Sequence, residues 1–278
     1  MELETLLYEL RDGVAWVTLN RPEVLNAFNP TMEREFAQLW SEMQHDDDVR
    51  CVVLRGAGDR AFTVGIDRDE TIGAATASDG HLGYSTPWVF DDPGRRLGPK
   101  ANAFWKPVIG MVQGLACGGA FYLLGEVDFI IAGRGATFFD PHVTYQMTAA
   151  YEPVQLLQKM PLQEVLRMAL LGAHERMTAQ RAYEVGLVSQ VVDDDELVST
   201  TEWAANAIAA APPLNIQGTL RAIWMANEIP RAQALELCSL YTRIGTDPEA
   251  LHAGQDDFAN RPRIEWRARS AVADSRRP

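Results

Sequence analysis

Between Leu6 and Ala132 the chain alternates short apolar runs with stretches of helical periodicity, and glycine, proline or aspartate marks most junctions. Runs of this length suit strands buried within a sheet, and the alternation predicts strand–helix units. Leu6–Leu10 and Val14–Leu19 are expected to pair around the Asp12-Gly13 turn signal. Pro30 opens a helix in which Met32, Phe36, Leu39, Trp40 and Met43 share one face. Cys51–Leu54, Ala61–Gly65, Val108–Val112 and Phe129–Ala132 continue the strands, and a glycine-rich turn in Gly114–Gly125 leads into an apolar helix. From Asp69 to Lys106 the pattern dissolves, and so long a connection in a compact domain is either functional or mobile. Beyond Pro161 the periodicity is helical, over 162–171, 178–185, 194–211, 216–227, 230–244 and 247–259, with the short strand Leu187–Val192 interrupting it. Strand–helix units first and a helical block last predict an α/β core over residues 1–200. A helical extension over 201–278 then serves oligomer contacts.

The rest of the composition narrows the function classes. No apolar run approaches the roughly 20 residues that span a bilayer. Glu2 and Glu4 stand where a signal peptide would be basic, so a soluble cytoplasmic protein is expected. Cys51, Cys117 and Cys238 lack metal-ligand spacing and read as buried, reduced thiols. The net charge of −13 argues against nucleic-acid binding, yet a local arginine cluster can still hold an anionic ligand. No G-x-G-x-x-G follows the first strand, which disfavours a Rossmann dehydrogenase, and no G-x-S-x-G elbow marks a serine hydrolase.

Two glycine-bearing turns carry the chemistry. A carbonyl that gains negative charge during a reaction needs preorganised backbone N–H donors. Glycine supplies such donors because no Cβ blocks the ligand's approach. The turns are Ala61-Phe62-Thr63-Val64-Gly65-Ile66-Asp67 and Gly114-Leu115-Ala116-Cys117-Gly118-Gly119. Gly118-Gly119 equally suits tight helix–strand packing. With Leu19-Asn20-Arg21-Pro22-Glu23-Val24-Leu25-Asn26-Ala27 before them, and Lys106-Pro107-Val108 opening the second, these segments resemble the crotonase (enoyl-CoA hydratase/isomerase) superfamily in order and spacing. Phe138–His142 and Ala179–Val192 are also similar to family segments, and the match covers about residues 5–265.

The resemblance implies a crotonase-like ββα superhelical core, an acyl-CoA thioester as substrate, and an oxyanion hole made by the amides of Ile66 and Gly119. It implies no cofactor beyond the coenzyme A of the substrate. It places CoA against Arg21, Val24 and Leu25, against Asp67 and Arg68, and against Phe258 and Arg261 near the C-terminus. A homotrimer or dimer of trimers is expected, with Leu235, Leu237, Leu240 and Ile244 in the helical block.

The chain departs from the hydratase pattern at both carboxylates. Tyr122 and His142 stand where the resemblance calls for glutamate. The candidate acid–base groups are therefore His142, Asp140 two residues earlier, and Tyr122, with Glu152 as a possible replacement carboxylate. In an extended segment, Asp140 and His142 would face the same side. His81, Tyr84, Trp88 and Asp91 are further candidates in the patternless segment. The expected activity is that of an enoyl-CoA hydratase/isomerase-like lyase or isomerase. Thioester hydrolysis, carbon–carbon cleavage and non-catalytic acyl-CoA binding are the alternatives.

Overall fold

The computed structural model describes residues 3–72, 88, 92–246, 248–260, 264 and 266–269. In chain order its first strands are β1 (Leu6–Arg11), β2 (Val14–Leu19), β3 (Cys51–Gly56), β4 (Ala61–Thr63) and β5 (Val108–Val112). They are followed by β6 (Leu115–Cys117), β7 (Phe129–Gly133), β8 (Thr137–Phe139), β9 (Met177–Thr178) and β10 (Gln190–Val192). The larger sheet has the order β1-β2-β3-β5-β7-β10 and the smaller one β4-β6-β8-β9. Only the β1–β2 and β8–β9 pairs are antiparallel. The β1–β2 hairpin turns at Asp12 and Gly13, both at positive φ (51° and 79°), the conformation a two-residue hairpin turn requires.

Every residue of β2 is buried, as expected for a strand covered on both faces. Ala15, Val17 and Leu19 join the main core with Phe36, Leu39 and Trp40. Val14 and Trp16 point the other way, into a second cluster with Leu197, Ala205 and Ala209. Helix α1 (Pro30–His45) is capped by Asn29, whose side chain accepts from the Met32 amide at 2.9 Å. Its buried face is the one the periodicity predicts, with Glu35 added. The Glu35 carboxylate accepts from the Glu4 and Thr5 amides and the Thr5 hydroxyl, which fastens the start of the chain to α1.

Part of the patternless connection is closely packed. Leu97 and Phe104 are fully buried, the Trp40 indole donates to the Leu97 carbonyl at 2.8 Å, and Lys106 Nζ donates to the Met43 and Asp46 carbonyls. Asp92 and Pro93, at the start of this packed stretch, line a cavity with Tyr122 and Glu152.

The remaining helices are α2 (Ala120–Leu124), α3 (Tyr151–Leu156), α4 (Leu162–Leu171), α5 (Ala179–Glu184) and α6 (Leu197–Ala209). They are followed by α7 (Pro213–Glu228), α8 (Arg231–Thr242) and α9 (Pro248–Asn260). The boundary expected at residue 200 falls inside α6, which packs on the larger sheet. Helices α7 to α9 carry exposed apolar side chains, among them Ile223, Leu235, Leu240 and Leu251. Among the described residues, no helix is long and apolar enough to cross a membrane.

Candidate active site

The two glycine turns meet at the carboxyl ends of β4 and β6. Phe28 bridges the first of them: its amide donates to the Gly65 carbonyl at 2.8 Å, and its own carbonyl accepts from Asp67 at 2.7 Å. This parallel bridge uses the groups on either side of Ile66 and turns the Ile66 N–H the other way. Gly65 has φ +88°, and a Cβ there would lie 2.6 Å from the Gly119 nitrogen. Gly118, at φ +52°, hands the chain to Gly119, which precedes α2. Glycine is thus required for strain at Gly65 and Gly118, and for closeness between the turns. Ile66 and Gly119 both line a cavity of about 270 Å³.

Titratable groups from four segments enclose the same cavity. His142 opens a 3₁₀ turn, His142–Tyr145, immediately after β8 and Asp140-Pro141. Pro141 is at φ −85°, ψ −6°, so the segment is not extended as expected. Asp140 instead folds back on the turn. Its Oδ1 accepts from the His142 amide at 3.1 Å and lies 2.5 Å from His142 Nδ1. The opposite ring nitrogen, Nε2, lies 3.4 Å from Glu152 Oε1. Glu152 is in the first turn of α3 and only 4% exposed. Beside Glu152, the Tyr122 hydroxyl donates to Asp92 Oδ2 at 2.7 Å.

The electrostatics follow from this burial. Burial disfavours the His142 imidazolium, but the Asp140 hydrogen bond and the Glu152, Asp140 and Asp92 charges outweigh it and raise the pKa above the ordinary 6.5. Burial also raises the Glu152 carboxyl above its ordinary 4.5, opposed chiefly by the His142 charge. Burial, reinforced by Glu152 and Asp92, pushes the Tyr122 phenol far up, so that it acts as a hydrogen-bonding group and not as a phenolate. Cys117, beside the oxyanion turn, is pushed up to about 12 by burial and is no nucleophile at neutral pH.

The residues expected around CoA are placed less uniformly. Arg21 is a structural residue: its guanidinium bonds the Ala27 carbonyl and Asp67 at 2.8 Å each, and Glu70 at 2.6 Å. The same pairing occupies Asp67, which is itself buried. Val24 is exposed and Leu25 adopts φ 56°, but the backbone N–H and C=O groups of both residues are bonded within the protein, to Arg21, Pro22, Ala27 and Val64. Arg68 is exposed and stacks its guanidinium 5.3 Å over the Tyr145 ring, at the end of the His142 turn. Phe258 is 88% exposed near the end of α9 and is not among the described residues lining the cavity. Trp88 is likewise exposed and outside that lining, whereas Arg261, His81, Tyr84 and Asp91 lie outside the described residues.

The enoyl-CoA hydratase/isomerase family model matches residues 9–268. The chain belongs to this family. A solved enoyl-CoA hydratase/isomerase from Mycobacterium paratuberculosis is 34% identical and superposes with a TM-score of 0.83, covering 96% of this chain and all of that one, 100%. The 1,2-epoxyphenylacetyl-CoA isomerase of Escherichia coli is 33% identical over 244 residues, 87% of this chain and 90% of its own. The (E)-benzylidenesuccinyl-CoA hydratase of Thauera aromatica is 29% identical over 254 residues, 91% and 95% of the two chains. The crotonase-like fold, the enzyme class and the acyl-CoA substrate class expected from the sequence are those of the family.

Within this family member, Ile66, Gly119, Tyr122 and His142 share the cavity, with Asp140 directly behind His142. Glu152 joins them. Asp92 is the residue the sequence reading missed. Its signal was weak, the second aspartate of an Asp91-Asp92-Pro93-Gly94 turn, because its partner Tyr122 is 30 residues away. Phe28, Met147 and Tyr151 also line the cavity and carried no signal at all.

Proposed function

We propose that this enzyme binds an acyl-CoA with its thioester carbonyl between the amides of Ile66 and Gly119, and that Glu152 moves a proton at the α-carbon while His142 supports it. The observation that carries this reading is the 3.4 Å approach of His142 Nε2 to Glu152 Oε1 on the wall of the cavity both amides line. Removing the α-proton sends the electron pair onto the carbonyl oxygen, and the two N–H groups stabilise the resulting enolate. A carboxylate whose pKa is raised by burial is a stronger base, once ionised, than an ordinary one. His142, oriented by Asp140, holds Nε2 within ion-pair distance of the Glu152 carboxylate and favours its charged form. One carboxyl group can remove a proton from the α-carbon and return it to the γ-carbon, which shifts the double bond. Hydration needs a second, separately placed proton-transfer group for the water, and both glutamates of the hydratase pattern are replaced. The reading therefore favours isomerisation of 3-enoyl-CoA over hydration of 2-enoyl-CoA. The enzyme is proposed to act as a cytoplasmic homotrimer or dimer of trimers with no cofactor of its own, supported by the exposed apolar residues of α7 to α9.

Mass spectrometry of acyl-CoA mixtures tests the assignment. A 3-enoyl-CoA is expected to convert to its 2-enoyl isomer at constant mass, while crotonyl-CoA gains water slowly or not at all. Brisk hydration of crotonyl-CoA, unchanged in His142→Ala, would overturn the reading.

A further inference from the structure

We propose that the acyl group this site is built for is a neutral aryl-substituted one, of the 3-phenylpropanoyl or 3-phenylpropenoyl type; the inference rests on the acyl-CoA reading above and names its substrate class. The cavity beside the two oxyanion amides is walled by three aromatic rings. Phe28 meets Tyr122 edge-on, with centroids 6.4 Å apart and planes at 89°. Tyr151 continues the same wall, 6.4 Å from Tyr122 with planes at 35°. Met147, Pro93, Ile66 and Ala150 add to the apolar lining among the described residues. Rings held by their neighbours in edge and tilted arrangements offer both faces and edges to a further ring, the geometry aromatic pairs prefer. A thioether beside them adds a favourable contact to an aromatic ligand.

Volume and charge narrow the group further. An apolar cavity of roughly 150 Å³ is enough to take up benzene. The 270 Å³ here holds one ring and leaves close to half the space for a three-carbon thioester arm. A butanoyl group would leave most of the aromatic wall without contacts, forfeiting dispersion along it. A long alkyl chain exceeds the space. Among the described lining residues there is no lysine or arginine, while Asp92 and Glu152 are both buried there. A second carboxylate on the acyl group would enter beside these two with only the His142 imidazolium, already held by Asp140 and facing Glu152, to offset it, at a heavy desolvation cost. The aryl group is therefore uncharged.

Calorimetry with saturated, unreactive thioesters tests this on the full-length protein without requiring turnover. The series is butanoyl-, hexanoyl-, 3-phenylpropanoyl- and 3-carboxypropanoyl-CoA. The phenylpropanoyl thioester is expected to bind at least about tenfold more tightly than the butanoyl one, and more tightly than the hexanoyl one, since ring burial and ring–ring contact act together. The carboxypropanoyl thioester is expected to bind weakest. Tyr151→Ala, at the partly exposed rim, should shrink the phenylpropanoyl-to-butanoyl ratio several-fold. Equal affinities for butanoyl- and phenylpropanoyl-CoA, or a hexanoyl-CoA affinity matching the aryl one, would overturn the aryl assignment and leave the acyl-CoA reading standing. No binding of any thioester in the series would overturn both.

Discussion

Replacing Gly119 with alanine perturbs the oxyanion hole at its tightest point. The new Cβ would lie 2.5 Å from Phe28 Cε1 and 3.1 Å from both Phe28 Cζ and Gly65 Cα. Phe28 is only 3% exposed and meets Tyr122 edge-on, so its ring can retreat only into the cavity it lines, which would itself disturb the bound acyl group. The Gly65 backbone is fixed by the Phe28 bridge on its other side. The strain is relieved by moving Gly119 itself, and with it the amide meant for the thioester oxygen. Loss of one such donor costs about 3–4 kcal/mol of transition-state stabilisation, a fall in kcat of about 10²–10³-fold. Overpacking of a filled core costs a further 1–3 kcal/mol or so in folding stability, which the urea midpoint reports separately. The assay compares kcat for the best enoyl-CoA substrate with calorimetric affinity for a saturated acyl-CoA. The reasoning requires kcat to fall at least a hundredfold while the folded fraction stays near unity. A folded Gly119→Ala protein within fivefold of wild-type kcat would refute it, because the amide would then have no part in holding the developing charge.

Other substitutions separate structural from chemical roles. Arg21→Ala leaves Asp67 buried and unpaired, so the urea-unfolding free energy should fall by about 3 kcal/mol; Arg21→Lys should recover only part, since an ammonium cannot span Asp67, Glu70 and the Ala27 carbonyl as a guanidinium fork does. Glu152 keeps its proton in the folded protein at pH values where the unfolded chain, near 4.5, has lost it. Folding stability contributed by that bound proton is present at low pH and is lost as pH rises through the folded value. Urea unfolding of wild type and Glu152→Gln across acid to neutral pH should therefore show the variant gaining in relative stability with rising pH. The raised His142 pKa acts in the same direction at higher pH: its stabilisation is complete below 6.5 and disappears as pH passes the folded value. Asp140→Asn should lower that pKa, which an NMR titration of the imidazole measures directly.

The parts of the fold that were legible in the sequence are those specified by neighbours along the chain. The buried face of α1 follows from spacing within 16 residues, and its cap from Asn29 before Pro30. The oxyanion turns were legible because glycine at a positive-φ position is a local requirement with few alternatives. Strand β6 was missed because three residues between two glycine-rich bends carry no periodicity. The acid–base set was only half legible for a different reason. His142 and Asp140 are only two residues apart and could be paired by inspection, though the turn that joins them is not the extended segment expected. Glu152 reaches His142 because residues 146–150 double back between them, and Asp92 reaches Tyr122 across 30 residues. The family resemblance sets Arg21 against CoA, and its ion pair within the protein could not be read beside that. Its partner Asp67 lies 46 residues away, a distance over which a charge pair leaves no trace in a single sequence.

The central claim is that Glu152 exchanges a proton at the α-carbon of a thioester held by the Ile66 and Gly119 amides. Hydrogen–deuterium exchange at the α-carbon of a saturated acyl-CoA, followed by NMR in heavy water, tests it without knowledge of the natural reaction. The account predicts exchange well above the buffer rate with wild type. In Glu152→Gln the exchange should fall by about 10²–10⁴-fold, the contribution of one positioned base, while the thioester still binds. Exchange at the wild-type rate in Glu152→Gln, or none above buffer in wild type with the thioester bound, would contradict it.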